Sequence, residues 1–518
     1  MGSNGFWGRA AEDPAWVAVV DPDGTEHRAG DLLARVNQLT RALQARGLKP
    51  GDGIASLLPN GAAPTEVYLA ALQAGWYLTP INWHFTAPEA AYIAADCGAK
   101  AFFVHERFAQ LGIDTADQAG IPADALFSFG AVAGFTDVAD LRAGQPATAP
   151  ENRTAGTTMH YTSGTTGRPK GVRRALIGLD PDDAAALLGG GLLGGVFGIT
   201  DGQPNAHLVS SPNYHTAVST FGGAALHLGH TLVCMDGFDA EEALRLTERY
   251  RCTNSHMVPT HFKRMLSLPD EVKTRYDLSS MRWLIHAAAP CPVGIKQAML
   301  DWWGPCVWEY YAATEGGGTV ASPENWLAHP GTVGIPWPLS EVLIADDNGE
   351  VQPAGVPGTI YLKMGLSEFE YYGDKAKTDA GRLHGYFTVG DIGYLTEDGY
   401  LFLCDRKSDM IISGGANIYP AEIEAEIIMN PKVADVAVFG IPDEEWGEQI
   451  KAVVQPADGV QPGDELAADI LAGLAGRLAK MKWPKSIDFV AELPRDPSGK
   501  LLKRRLRDPY WAGRTAKI

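Results

Sequence analysis

Residues 161–172 are the stretch of this sequence that most limits what the chain can be. They run Tyr-Thr-Ser-Gly-Thr-Thr-Gly-Arg-Pro-Lys-Gly-Val, so hydroxyl side chains and glycines precede Lys170. The residues at 157–161 are rich in β-branched and aromatic side chains and predict a strand that leads into a loop. Glycines let a ligand approach the backbone, hydroxyl and N–H groups can surround an anion, and the lysine adds a positive charge. The stretch therefore predicts a loop that binds a polyphosphate.

This loop differs from the mononucleotide P-loop, because Pro169 precedes the lysine and Gly171 follows it. A surface turn rich in Gly and Thr is the alternative interpretation. The whole string, however, resembles the phosphate loop of the adenylate-forming superfamily, which contains acyl-CoA synthetases, peptide-synthetase adenylation domains and luciferases. The resemblance implies that ATP is bound by Thr162, Ser163, Gly164, Thr165, Thr166, Gly167 and Lys170.

Length and composition set the broad class. A chain of 518 residues is too long for one simple core and predicts at least two domains. The net charge of −19 argues against a nucleic-acid partner, which would need a basic face. The six cysteines show no C-x-x-C spacing, which favours a reduced, cytoplasmic protein without a zinc site. Residues 187–199 are apolar but too short to span a bilayer, so no transmembrane segment is expected. A homodimer is left open.

The first third of the chain alternates between helical and strand patterns. Apolar residues at helical spacing occupy 30–47, and the buried-strand pattern of 54–59 follows. A second helix at 64–75 and a second strand at 76–81 repeat the arrangement. Alternating strands and helices predict βαβ units around a mostly parallel sheet.

His215 lies in the segment Ser210–Ala217, which matches the superfamily's pattern of Pro, two residues, then His. The resemblance implies that this histidine lies beside the carboxylate of the acyl substrate. A histidine next to an aromatic residue is also commonly just packed, which is the alternative. No Asp occupies the segment, whereas amino-acid-activating relatives keep one there. An amino acid substrate is therefore disfavoured.

Two further segments resemble nucleotide-binding parts of the superfamily. In the first, Ala287 and Ala288 replace the usual glycines where the chain would pass the adenine, although a buried strand end is also plausible there. The second, Tyr310–Glu315, resembles Tyr-Gly-x-Thr-Glu. It implies that Tyr311 stacks on adenine, Thr314 bonds a phosphate and Glu315, with Thr166, holds Mg²⁺. A carboxylate suits such a hard cation.

Residues 385–391 form the next match, and it implies that Asp391 accepts hydrogen bonds from both ribose hydroxyls. A plain turn aspartate is the alternative. Arg406 matches the arginine that contacts the nucleotide. Ser408 occupies the place of the pivot between domain orientations, where relatives carry Asp or Lys.

The last part of the chain predicts a small α+β unit. Gly414 and Gly415 resemble the turn along which coenzyme A runs, and Lys500, in a Pro-x-x-x-x-Gly-Lys loop, resembles the lysine that catalyses adenylation. A solvated surface lysine is the alternative. We expect an α/β fold, with a large N-terminal adenylate-forming domain of βαβ subdomains at 1–405 and a small mobile α+β domain at 406–518.

The matches together imply an AMP-forming acid–CoA ligase that uses ATP, Mg²⁺ and coenzyme A, with Lys500, His215, Thr166 and Glu315 as catalytic residues. The residues of the expected acyl pocket are apolar or small, with no fixed charge beyond His215, which favours a hydrophobic acid, with a fatty acid ahead of aromatic or steroid-like ones. These residues are His215, Thr216, Phe221, Val258, Ala312 and Gly316. Two alternatives remain: transfer of the acyl group to a carrier protein or to oxygen, and a non-catalytic nucleotide-binding protein.

Overall fold

Strands and helices alternate through the first part of the chain, as the sequence predicts. The computed structural model describes residues 5–162, 169–201, 204–365, 369–495 and 501–512. Residues 54–57 and 77–80 fall in neighbouring parallel strands, and the helix of residues 62–73 connects them. The predicted α/β class is confirmed.

The helices of the described residues are short to medium in length. In chain order they are α1 Phe6–Glu12, α2 Ala29–Ala45, α3 Ala62–Gln73, α4 Ala87–Asp96, α5 Ala109–Ala119, α6 Val138–Arg142, α7 Pro181–Ala186, α8 Gly195–Phe197, α9 Thr216–His227, α10 Ala240–Arg249, α11 Pro259–Leu266, α12 Asp270–Lys273, α13 Val293–Trp303, α14 Pro323–Ala328, α15 Lys375–Ala380, α16 Pro420–Ile427, α17 Asp464–Gly473 and α18 Lys503–Trp511. Short 3₁₀ turns lie at Glu106–Phe108, Ala123–Ala125 and Lys480–Lys482.

The strands of the described residues are mostly short as well. They are β1 Val17–Val20, β2 Glu26–Arg28, β3 Gly53–Leu57, β4 Tyr77–Pro80, β5 Ala99–His105, β6 Leu126–Phe129, β7 Thr136–Asp137, β8 Thr157–Thr158, β9 His160–Thr162, β10 Lys170–Arg174, β11 Ala206–Val209, β12 Thr231–Cys234, β13 Asn254–Met257, β14 Trp283–His286, β15 Val307–Ala312, β16 Gly318–Ala321, β17 Ile335–Pro336, β18 Ser340–Ala345, β19 Gly358–Met364, β20 Phe369–Tyr371, β21 Arg382–Leu383, β22 Tyr386–Phe387, β23 Asp391–Leu395, β24 Leu401–Arg406, β25 Ile411–Ser413, β26 Ala416–Ile418, β27 Val433–Asp443, β28 Gly447–Pro456 and β29 Ser486–Phe489.

Two large sheets form the framework. One has the order β7-β6-β5-β3-β4-β8, and all its pairs are parallel. The other has the order β17-β16-β15-β14-β13-β11-β12-β1-β2, parallel in the middle and antiparallel at both edges. Their helices share an apolar core that includes Leu39, Trp76, Phe103, Phe197 and Phe221. The carboxyl ends of parallel strands commonly carry ligand sites. Candidate site residues that follow these strand ends are therefore expected to lie in one region of the molecule.

Two smaller sheets join this framework. An antiparallel sheet of three strands has the order β20-β10-β9 and therefore carries both flanks of the predicted phosphate loop. A second antiparallel sheet contains β18, β19 and β21–β24. It brings the start of β23 beside the end of β24, so that Asp391 pairs with Arg406.

The last part of the chain folds as the predicted α+β unit. Its sheet has the order β26-β25-β28-β27, with β29 added in parallel to β28. The apolar faces of α16 and α17 cover one side, through Ile423, Ile427, Leu466 and Ile470. This periodic spacing of apolar residues is what the sequence shows for both helices.

The apolar glycine-rich segment after β10 is helical. Residues Leu187–Gly194 form a π-helical stretch, and α8 follows directly. Across the described parts of the chain, none of the helices has the length and apolar character needed to cross a bilayer.

Gly334 lies at the junction between the nine-stranded sheet and the sheet that carries Asp391. Its φ is +93°, and its carbonyl accepts a 2.8 Å hydrogen bond from the Leu401 N–H. A Cβ at this position would lie 1.9 Å from the Val320 carbonyl oxygen. The backbone at residue 334 can lie this close to β16 only because the residue has no side chain.

We expect Gly334→Ala to destabilise the protein by roughly 3 kcal/mol or more, since the backbone overlap adds to the strain of a left-handed residue. Gly399 is the matched control, because its φ is +85° and an added Cβ would meet nothing within 4 Å. Gly399→Ala should cost only about 1 kcal/mol. Thermal unfolding followed by circular dichroism compares the two, and equal melting temperatures would contradict the close approach.

Candidate active site

The predicted phosphate loop is held at the end of an antiparallel pair of strands. Lys170 on β10 is opposite Thr162 on β9, so the two ends of the loop are fixed side by side. The Lys170 Nζ lies 3.3 Å from the Asp374 Oδ2, and both side chains are about one-third exposed. The predicted residues Ser163, Gly164, Thr165, Thr166 and Gly167 lie outside the described residues. The described flanks thus present a lysine at the loop's edge.

Tyr311, Asp391 and Arg406 form one cluster. The Tyr311 hydroxyl donates a 2.8 Å hydrogen bond to the Asp391 Oδ2. The Arg406 Nε lies 3.5 Å from the other carboxylate oxygen. Burial, followed by the charge of Asp391, raises the pKa of Tyr311 well above its ordinary value, so the phenol stays protonated and remains a donor. Three residues that the sequence places far apart are therefore in direct contact.

Glu315 is buried and hydrogen-bonded. Its Oε1 accepts a 2.7 Å bond from the Tyr371 hydroxyl, and only 6% of the residue is exposed. The Arg174 guanidinium bonds the Thr314 carbonyl, and its positive charge acts on Glu315. Burial lowers the pKa of Arg174. The Thr314 hydroxyl lies 3.4 Å from that of Thr216, which connects this loop to the start of α9.

The donor set around Glu315 fits Mg²⁺ bound together with a nucleotide. Within the described residues, no group of three or more His, Cys, Asp or Glu side chains could hold a metal alone. Mg²⁺ needs no such group, since it keeps several waters and commonly takes one or two carboxylates plus phosphate oxygens. Glu315 has one oxygen bonded to Tyr371 and a second oxygen for such a role.

The segment predicted to pass the adenine follows β14. Ala288 is exposed and has a φ of +73°, a left-handed conformation that favours glycine. Alanine thus occupies position 288, where a glycine would adopt the same backbone conformation without strain. A non-glycine residue in this region costs about 1–2 kcal/mol, so the surrounding structure holds the loop in place.

A buried ion pair lies directly beneath that loop. The Lys296 Nζ on α13 is 2.7 Å from the Glu309 Oε2 on β15, and neither residue is appreciably exposed. The ammonium also lies 4.9 Å from the centroid of the Trp326 ring. His286, the last residue of β14, approaches the same carboxylate oxygen at 3.5 Å. Burial and the charge of Lys296 lower the pKa of His286 well below its ordinary value, so this imidazole is neutral.

His215 is the N-cap residue of α9, and its ring lies 4.3 Å from that of Tyr214. Behind it, His160 on β9 is buried, and its Nδ1 lies 3.3 Å from the Tyr214 carbonyl oxygen. The other ring nitrogen of His160 is 3.0 Å from the Ser219 Oγ. Burial lowers the pKa of His160 to about 4, so this residue is neutral and fixes the turn before His215 against the phosphate-loop strand.

Of the predicted pocket residues, Phe221 lies in an aromatic cluster. Its ring centroid is 5.0 Å from His256, 5.5 Å from Tyr310 and 5.6 Å from Phe197. The His256 Nε2 lies 3.0 Å from the Tyr310 hydroxyl. Burial lowers the pKa of His256 to about 3, so this neutral ring packs as an apolar group. The cluster fills the space between α9 and the ends of β13 and β15.

The other predicted pocket residues lie on several elements. Val258 is the buried N-cap residue of α11, and Ala312 ends β15 opposite Gly318. Gly316 has a φ of +122°, and a Cβ there would be 3.6 Å from the Met364 sulfur. Gly316 therefore adds no side chain to the expected pocket, as the sequence predicts. Phe221, in contrast, is packed against other aromatic rings.

The predicted hinge contacts the C-terminal helix. The carbonyl of Ser408 accepts a 3.1 Å hydrogen bond from Arg507 on α18. Gly414 and Gly415 form the turn between β25 and β26, with φ values of +58° and +80°. A Cβ at Gly414 would lie 2.5 Å from the Trp446 ring, which shows why glycine is needed there. Lys500 lies outside the described residues.

Comparisons with known proteins identify the family of this chain. A family model described as AMP-binding enzyme matches residues 6–369, and one described as AMP-binding enzyme C-terminal domain matches residues 422–500. The chain is 31% identical over 523 residues to the fatty acid–acyl-carrier-protein ligase ScoC of Streptomyces coeruleorubidus, covering 98% of this chain and 96% of that one. It is 34% identical over 507 residues to a feruloyl-CoA synthase of an Amycolatopsis species, covering 96% and 97%. The crystal structure of ATP-bound MatB from Rhodopseudomonas palustris matches with a TM-score of 0.82, 30% identity and 99% coverage of both chains.

Several residues of the site carry no signal in the sequence. Tyr371, Arg174 and Lys296 contact predicted residues from distant strands or helices. His160 could have been predicted from the sequence, because it lies in the strand that leads into the phosphate loop. A buried imidazole at such a position can hold two segments together through its two ring nitrogens. The others are partners only through the tertiary fold.

We expect Tyr311→Phe to weaken ATP binding about ten-fold or more, because a hydrogen bond to a charged group contributes roughly 1.5–3 kcal/mol. The lost donor leaves Asp391 without the contact that orients it. Tyr394→Phe is the control, since Tyr394 lies on β23, the strand that also carries Asp391. The Tyr394 ring stacks on Phe402, and its hydroxyl has no hydrogen bond to any described residue. Isothermal titration with ATP measures both, and equal affinities would contradict the assigned role of Tyr311.

Proposed function

This chain belongs to the AMP-binding enzyme family, and we propose that it is an ATP-dependent acid–CoA ligase that activates a hydrophobic carboxylic acid, with a fatty acid as the leading candidate. The observation that supports the proposal is that Asp391 contacts both Tyr311 and Arg406, so that residues of three separate segments meet where the nucleotide is proposed to bind. The similarity to an acyl-carrier-protein ligase for fatty acids and to a feruloyl-CoA synthase supports an acid substrate.

In the proposed site each residue has a separate task toward ATP. Asp391 accepts hydrogen bonds from the ribose hydroxyls, while the ring of Tyr311 stacks on the adenine. Lys170 and Thr314 contact the phosphates. Mg²⁺ bound with ATP would neutralise phosphate charge, with Glu315 and Thr166 as the residues proposed to hold it. Asp374 at 3.3 Å gives Lys170 a counter-charge that the nucleotide phosphates would replace.

The proposed reaction has two steps. A carboxylate oxygen of the acid, beside His215, attacks the α-phosphorus of ATP, and pyrophosphate leaves with the electrons of the broken P–O bond. Lys500 neutralises the charge that builds up during this transfer. The sulfur of coenzyme A then attacks the carbonyl of the acyl-AMP, AMP leaves, and the thiol proton passes to solvent. Gly414 and Gly415 form the turn along which coenzyme A would lie.

We further propose that the chain divides into domains at 1–405 and 406–518, with Ser408 as the pivot between the two steps. Ser408 is exposed and next to the strand end that carries Arg406. Rotation there would remove Lys500 and bring in the glycine turn, so that one small domain serves both steps. A cytoplasmic location and a homodimer stay predictions.

The alternative acceptor is a carrier protein, which the similarity to ScoC favours. A panel of fatty, aromatic and steroid-type acids, assayed with coenzyme A, with a phosphopantetheinylated carrier protein and with neither, tests the proposal. AMP release that requires coenzyme A supports the ligase. AMP release that requires only the carrier protein would assign the alternative, and no acid-dependent pyrophosphate release would overturn the proposed function.

We expect Lys500→Ala to reduce acyl-AMP formation by about 10²–10³-fold, because it removes a charge that acts in the transition state. Conversion of supplied acyl-AMP to the thioester should change less than about three-fold, since Lys500 does not serve that step. Lys432→Ala is the control, because Lys432 is half-exposed and pairs only at the surface with Asp469. Pyrophosphate release and thioester formation are measured separately, and equal losses in both steps would contradict the division of labour.

We expect Glu315→Gln to raise the Mg²⁺ concentration needed for half-maximal adenylation about ten-fold, with little change in the KM of the acid. An amide is a poorer ligand for a hard cation than a carboxylate, while Tyr371 can still donate to the amide oxygen. Glu341→Gln is matched to it, because Glu341 also accepts a tyrosine hydroxyl bond, from Tyr386, but is largely exposed and lies on another strand. An unchanged Mg²⁺ optimum with a raised KM for the acid would place Glu315 at the acyl pocket instead.

A further inference from the structure

Helix α9 separates two different environments. On one side Phe221 is buried and packs against the rings of His256 and Tyr310. On the other side the helix presents a row of small or apolar residues to a cavity. These residues are Val218, Ser219, Gly222, Gly223 and Leu226. The spacing of three and four residues places them on one helical face.

The cavity lies between α9 and the ends of strands from both large sheets. It holds about 700 Å³ of atom-free space when its open mouth is included. Its walls are mostly apolar, with Leu58 and Ile81 from one sheet and Val209 and Cys234 from the other. This mostly apolar lining is typical of a pocket for a small apolar ligand.

The two glycines of α9 make this space. A Cβ at Gly223 would lie 2.3 Å from the hydroxyl oxygen of Tyr68, which also lines the cavity. A Cβ at Gly222 would meet nothing within 4 Å, so this position faces open space. Glycine within a helix costs about 1 kcal/mol relative to alanine. Two adjacent glycines here are therefore unfavourable for the helix itself but keep the cavity open.

The cavity adjoins the segments that would hold the reacting carboxylate. Tyr214 lines it and precedes His215 directly. Thr158 lines it too and lies four residues before Thr162 in the strands that lead to the phosphate loop. Ser219, also in the lining, contacts His160 at 3.0 Å. An acid whose carboxylate faces His215 could thus extend its chain into this space.

We propose that the substrate is an aliphatic acid whose hydrocarbon chain lies in this cavity, on the Gly222–Gly223 side of α9, and not on the Phe221 side. The inference rests on the proposed function and adds the shape of the substrate to it. A flexible chain fits a narrow space lined by apolar side chains from two sheets.

The test is the dependence of kcat/KM on chain length, from butyrate to palmitate, in Gly222→Leu. The leucine would occupy the cavity, so the longest acid that is well accepted should become shorter by about three or four carbons. Each excluded methylene should lower kcat/KM about four-fold. The kcat/KM for butyrate should fall less than that for palmitate, since the loss grows with each excluded methylene.

Two further variants keep the result interpretable. Gly473→Leu is the matched control, because Gly473 ends the exposed part of α17 and its Cβ would also meet nothing within 4 Å. Gly222→Ala adds only a methyl group to open space, so it should fold and shift the profile by at most about one carbon. Titration with non-reactive acyl-sulfamoyl adenosines of the same chain lengths gives a binding readout that does not need turnover.

The outcomes separate this inference from the proposed function. A chain-length limit that moves in Phe221→Ala but not in Gly222→Leu would overturn the inference, as would wild-type activity on aryl acids alone. In both cases the acid–CoA ligase stands. If no acid supports pyrophosphate release in the wild type, the proposed function and the inference both fail. A shorter limit in Gly222→Leu with an unchanged Gly473→Leu profile supports the cavity.

Discussion

The buried contact between Lys296 and Glu309 is the interaction on which the site most depends. It joins α13 to β15 at 2.7 Å, away from solvent, with the Trp326 ring beside the ammonium. Removing one partner of such a pair typically costs about 3–5 kcal/mol, because the other charge is left buried and unpaired. The pair therefore fixes the position of β15, and β15 leads directly into the loop that contains Thr314 and Glu315.

Strand β15 also sorts two kinds of chemistry onto its two faces. Neighbouring residues of a strand point to opposite sides. Tyr310 accordingly packs with Phe221 and His256 in the aromatic cluster, whereas Tyr311 reaches Asp391 on the other sheet. The adjacent residues Tyr310 and Tyr311 thus lie on opposite faces of β15, one in the aromatic cluster beside α9 and one on the proposed nucleotide side. The ion pair between Lys296 and Glu309 holds this strand and therefore positions both residues.

The sequence predicts the parts of this molecule that have a local cause. Alternating apolar patterns gave the parallel sheets, and Ile423, Ile427, Leu466 and Ile470 marked the buried faces of α16 and α17. The contact of Tyr311 with Asp391 joins two residues that were each assigned to the nucleotide from separate segments.

Other features have no local cause and could not be predicted in this way. Tyr371 reaches Glu315 across 56 positions, and Arg174 reaches Thr314 across 140, so neither partner is marked by its own segment. The cavity beside Gly222 is likewise the product of two sheets and a helix that meet only in the folded chain.

The contact between Arg507 and the Ser408 carbonyl has a consequence for protein synthesis. The two residues are 99 positions apart, and Arg507 is the later one. At about 5–20 residues per second, the ribosome delivers this arginine roughly 5–20 s after the serine. During that interval the strands β1–β24 are already available to fold, while the backbone at residue 408 lacks its partner. The contact between Arg507 and Ser408 therefore forms only after almost the whole chain has been made.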